Sequence, residues 1–148
     1  MIRWPFSLVL FAFGHLGAVL AEADLEAVRA EKRLEKRARL ALENADRMIT
    51  AAREAYQQGD ASLVRAALDE VAASVELCYQ SLKETGKDPR RNYRHYKHAE
   101  ITTRQLLRRL GGFRDEMSYL DRELIEPVIE RVEHVNKELL DDIMGGRR

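Results

Sequence analysis

The stretch ADRMITAAREAYQQGDASLVRAAL, residues 45–68, decides the fold. Before Gly59-Asp60, the residues Ala45, Met48, Ala52 and Ala55 recur at steps of three and four; after it, Val64 and Leu68 continue the same rhythm. That period lines apolar side chains along one face of an α-helix. Gly59 supplies the left-handed backbone that ends a helix, and Asp60 offers a carboxylate to the free N–H groups that open the next. So tight a connection between two amphipathic helices predicts an antiparallel hairpin.

Working outward, the chain from Asp24 to Gln58 holds no Pro or Gly and is rich in Ala, Leu, Glu, Lys and Arg, which predicts one long first helix. Its seam begins at Leu34, Ala38 and Ala41, and the charged part before Leu34 is expected to project beyond the rest. Downstream, Val71, Val75, Cys78 and Leu82 carry the second helix to about Thr85, where Gly86, Asp88 and Pro89 make a break. A third helix is predicted from Arg90 to Met117, with Tyr96, Ala99, Thr103, Leu106, Leu110 and Phe113 on its seam. Gly111-Gly112 is its weak point, open to a kink or an early end. Ser118 and Asp121 have capping-box character, and a fourth helix follows with Ile125, Val128, Val132, Val135 and Leu139, with Pro127 near its first turn. Four amphipathic segments with short connections bury their stripes only against one another. The expected fold class is therefore all-α, an antiparallel helical bundle of four helices with a long first helix; two hairpins that dimerise satisfy the same seams.

The first 23 residues differ in composition from the rest. Arg3 precedes an apolar run from Ser7 to Leu20, and Ala21-Glu22-Ala23 offers a cleavage site, which together read as a secretory signal peptide. The expected organisation is a signal peptide at 1–23, a helical bundle domain at 24–144 and a flexible tail at 145–148, with a periplasmic or secreted address and no stable membrane span after cleavage. Cys78 is the only cysteine, so an intramolecular disulfide is excluded; on an apolar seam it is expected to act as a small hydrophobe.

The 25 basic and 25 acidic residues leave the formal charge at zero, so electrostatic function must come from local clustering. Clustering there is. Lys87 to Arg109 holds eight basic and two acidic residues, and Asp115 to Asp142 holds ten acidic and three basic ones. The first expectation is internal: the third and fourth helices pair their opposite flanks and so fix their register. The second is a site at the basic start of the third helix. There Arg90, Arg91, Tyr93, Arg94 and Lys97 could hold an anionic group with help from the positive end of the helix dipole. His95 and His98 are three apart on one helix, and Glu130, Glu133 and His134 lie together on another, but the Glu-x-x-His motifs of bundle metal sites are absent. No metal and no cofactor is expected. Ser62, Ser74, Ser81 and Ser118 lie in no nucleophile elbow, and no phosphate-cradling glycine loop is present, so the chain is read as a non-enzyme.

Two stretches carry resemblances. Ala52, Ala55-Tyr56, Gly59-Asp60, Val64 and Leu68 look like the middle of a tetratricopeptide repeat, over about one repeat and with no second copy. Tyr93 to Phe113, with Tyr96-Lys97-His98-Ala99-Glu100 and Thr103-Arg104-Gln105-Leu106-Leu107-Arg108-Arg109-Leu110, resembles uncharacterised exported helical proteins of bacterial genomes; this implies the exported address and no assigned activity. Exported helical chaperones and stress sensors of the periplasm are similar in size, although their Leu-Thr-x-x-Gln signature is echoed only loosely by Ile101-Thr102-Thr103-Arg104-Gln105. The expectation is thus a non-catalytic protein-interaction module of the cell envelope, with a protein partner or self-association, a possible anionic ligand and no nucleic acid. The run Lys32 to Arg37 is a candidate contact for that partner. The alternatives are an anion-binding module and a chaperone-like protein.

Overall fold

A computed structural model describes residues 24–145, so the predicted signal peptide and the last three residues of the predicted tail lie outside the described residues. Within that span the chain is all-helical. Four long helices carry it: α1 Leu34–Gln57, α2 Ala61–Glu84, α3 Tyr93–Glu116 and α4 Glu126–Ile143, with a 3₁₀ turn at Asp121–Leu124 and a short helical stretch at 24–29.

The punctuation acts as its chemistry dictates. Gly59 takes φ +74°, and the Leu63 N–H donates to Asp60 Oδ1 at 3.1 Å, which caps α2. Ser118 Oγ accepts the Asp121 N–H at 3.3 Å, but the element it opens is the 3₁₀ turn rather than α4 itself. Pro127 occupies the first turn of α4, where its missing N–H leaves no helical bond unmade. The expected weakness at Gly111-Gly112 is not realised, because α3 runs through both to Glu116. Gly112 instead makes room for its neighbour: a Cβ there would stand 3.4 Å from Arg53 Nη2.

One apolar core joins all four helices. The seams read from the sequence are buried along their length, from Ala38 to Ala55 on α1, Val64 to Leu82 on α2, Tyr96 to Phe113 on α3 and Val128 to Leu139 on α4. Small residues dominate the α1 seam, and α1 makes its broadest contact with α2. Arg37 near the start of α1 meets Ser81 (2.8 Å) and Glu84 near the end of α2, and Asn44 in mid-helix meets Ser74 (2.9 Å). Across the other pair, Asn136 of α4 donates to the Glu100 carbonyl of α3 at 3.0 Å, and Arg114 stands 3.8 Å from Glu126.

The long first helix requires correction. It is interrupted at 30–33, and the stretch before Leu34 does not project: Leu25 and Val28 are buried in the common core. The reason is helical phase. At 3.6 residues per turn, the nine residues from Leu25 to Leu34 make two and a half turns, so an unbroken helix would aim Leu25 away from the seam. The break turns it inward. Glu31 closes the break by accepting the Arg33 N–H at 2.9 Å and pairing with Lys36 at 2.7 Å.

Candidate functional site

The expected pairing of a basic α3 with an acidic α4 is largely absent. Among the described residues, only Arg114, near the end of α3, reaches an α4 carboxylate, Glu126. Elsewhere α3 turns its charge to α1 or to itself. Arg109 pairs with Asp46 and donates to Thr50 Oγ1 at 3.0 Å, and Lys97 and Arg104 flank the buried Glu100 at 2.9 and 3.5 Å. The α4 acids look to α2: the Tyr79 hydroxyl donates to Asp142 at 3.0 Å, and Lys83 stands 3.6 Å from the same carboxylate. The cause is geometric. Apolar side chains occupy the facing surfaces of α3 and α4, which leaves most charged flanks nearer to other helices.

The five residues predicted to hold an anion do not form one site. Arg90 precedes α3 and lies across Gly145 at the far end of the chain, with its Nη2 3.3 Å from where a Cβ of Gly145 would be. Arg91 is exposed, Tyr93 is about half exposed, and Lys97 is held by Glu100. Arg94 alone of the five enters a larger cleft.

That cleft, about 690 Å³, opens between the first halves of α1 and α3. Arg33, Lys36 and Arg39 stand on the α1 side, and Arg94, His95 and His98 on the α3 side. Its floor is Ala38, Leu42, Cys78, Leu82 and Ala99, all buried, with Ile101 at the edge. Glu35 is the single acidic residue among the described residues of the lining. The Lys87 ammonium engages it and holds its carboxyl below the usual range, with a smaller contribution from His95. Lys36 and Arg39 have acidic partners in Glu31 and Glu43, whereas the guanidiniums of Arg33 and Arg94 form no ion pair with any of the described residues. A shallower extension of about 520 Å³ continues past His98 and Leu42 to Asp46 and Gln105.

What could find this cleft in the sequence is the pair of basic runs, Lys32 to Arg37 and Arg90 to Lys97, each noticed separately. Their meeting depends on α1 and α3 lying side by side, where Arg109 pairs with Asp46 and Glu116 with Arg53. Chemically the cleft offers positive charge, aliphatic stems and two imidazoles. Among the described residues that line it there is no serine or threonine hydroxyl and no exposed thiol. Cys78 forms part of the floor but is fully buried, and burial pushes its thiol up to about 12. Since the thiolate is the reactive form, Cys78 in the native protein is expected to ignore a disulfide reagent such as DTNB at pH 8 and to react fully once guanidinium unfolds the chain. Stoichiometric labelling of native protein within minutes would show the floor to be open.

Among the described residues, no three His, Cys, Asp or Glu side chains gather as ligands of a metal ion would, and no helix is long and apolar enough to cross a membrane. No protein-family model matches the chain, and no match to a curated protein was found.

Proposed function

We propose that this protein is an exported, non-catalytic interaction module of the cell envelope, and that it docks an acidic segment of a protein partner in the cleft between α1 and α3. The observation that carries this reading is the convergence of Arg33, Lys36, Arg39 and Arg94 with His95 and His98 around one opening whose only acidic lining residue among those described is already engaged. In this reading residues 1–23 direct export and are removed. The four helices form an antiparallel bundle, two hairpins laid side by side, whose role is to hold the two basic runs at a constant separation. Guanidiniums suit the task because their planar forks meet carboxylates through paired hydrogen bonds.

Binding of a rhodamine-labelled octa-aspartate peptide, followed by fluorescence anisotropy, tests it. Exposed ion pairs contribute about 0.2–1 kcal/mol each, and reversal turns attraction into repulsion, so Arg33→Glu with Arg94→Glu is expected to weaken binding by about tenfold. Added salt is expected to weaken the wild-type complex as the Debye length shrinks. Undiminished binding by the double variant, or no binding by the wild type at low salt, would overturn the proposal.

A further inference from the structure

The turn between α3 and the 3₁₀ element carries the two most exposed large apolar side chains of the described residues. Tyr119 is 86% exposed and its neighbour Leu120 80%. Two adjacent apolar side chains this open offer a surface that a partner gains free energy by burying. Nor is the turn loose. The Ser118 N–H donates to the Tyr56 hydroxyl at 2.9 Å, that hydroxyl donates to Asp121 Oδ2 at 3.0 Å, and Ser118 Oγ donates to the same oxygen at 2.7 Å. A tip already held in one shape loses little freedom on docking, the property that lets a tyrosine anchor an interface.

Charge indicates what covers it. In the chain the tip is flanked by Asp115, Glu116, Asp121, Glu123 and Glu126, of which Glu123 pairs with none of the described residues; Arg114 and Arg122 are the basic residues of the same stretch, and Arg53 reaches Glu116 from α1. The α1–α3 cleft carries the opposite excess above an apolar floor. Cleft and tip stand at opposite ends of α3, whose 24 residues span roughly 36 Å, so they cannot meet within one molecule.

We propose that the cleft's partner is a second copy of this chain, which seats its Tyr119–Leu120 turn between Arg33 and Arg94. This rests on the cleft being a docking site for acidic partners. The tyrosine ring presents its face to the guanidiniums, an arrangement attractive in itself, and the leucine lies over the aliphatic rim near Ile101. Because each copy carries one cleft and one tip on different surfaces, the contact is head-to-tail, and association grows with concentration instead of stopping at a symmetric dimer.

Sedimentation velocity of the chain purified after export tests this with two variants altered only at exposed positions: Tyr119→Ser/Leu120→Ser, which loses the tip, and Arg33→Glu/Arg94→Glu, which loses the cleft. The wild type is expected to show a mean mass that rises with concentration, and each variant alone to remain monomeric. An equimolar mixture of the two is expected to form a one-to-one dimer and nothing larger, since one functional cleft then meets one functional tip. A wild type that stays monomeric at high concentration, a variant that still self-associates, or a mixture that stays monomeric would overturn the inference. The octa-aspartate titration separates the two levels. Peptide binding by a chain that does not self-associate removes the second copy and leaves the acidic-partner reading standing; absence of both removes both.

Discussion

Replacing Phe113 by alanine lowers the stability of the fold by about 3–5 kcal/mol, the range for truncating a fully buried aromatic side chain whose site cannot collapse. Phe113 is wholly buried, and its ring serves two neighbours besides the core. Tyr56 meets it edge-on at 5.8 Å between centroids, and the Arg53 guanidinium lies 5.7 Å from its centre. Tyr56 in turn holds the Ser118–Asp121 turn, so the cavity would loosen the support of the Tyr119–Leu120 tip as well as the core. Urea denaturation reads the loss directly. A midpoint displaced by less than 1 kcal/mol equivalent would mean that the surrounding side chains close the cavity.

Asn44→Ala is expected to cost about 1–3 kcal/mol, although the residue removed is polar and small. Asn44 is fully buried between α1 and α2, where its Nδ2 donates to Glu70 Oε1 at 2.8 Å and to Ser74 Oγ at 2.9 Å. Arg47 donates to its Oδ1 at 3.2 Å. Removing the amide deprives a buried carboxylate oxygen and a buried hydroxyl of one donor each, and the expense lies in leaving those groups without it. A double-mutant cycle with Ser74→Ala isolates the shared part. Coupling near zero would mean that Ser74 does not sense Asn44.

The seams were legible in the sequence because each is a local property. Ala41, Val71, Leu106 and Val132 sit on their helical period whatever they pack against, and all four are buried. The interruption at 30–33 leaves a trace in the sequence, the half-turn offset in phase between Leu25 and Leu34, but the expectation of one long helix rested on the absence of Gly and Pro and on the helix-forming composition. A helix can stop at ordinary residues when burying two apolar side chains, here Leu25 and Val28, compensates for the backbone bonds it gives up. Charge pairing was the least legible feature. Opposite flanks on successive helices invite pairing, yet Arg109 chose Asp46 and Arg131 chose Glu76, because lateral position in the bundle, a long-range property, decides which flank is near. The candidate site suffered in the same way. Arg90 to Lys97 reads as one basic run, but a helix distributes its members around its axis, so Arg94 enters the cleft while Lys97 turns to Glu100.

The connection at Gly59-Asp60 has a further consequence, in the order of assembly. It joins the two helices that share the broadest contact, so the residues beside the turn meet after closing a very short loop, and each later turn of α1 and α2 adds to a register already set. Contacts so close in sequence form quickly, whereas α4 finds α2 only after the chain between them has been brought into line. The first hairpin is therefore expected to be the kinetic nucleus, formed before α3 and α4 have settled on it. Changes along the α1–α2 seam would slow folding, and changes where α4 meets the rest would chiefly hasten unfolding.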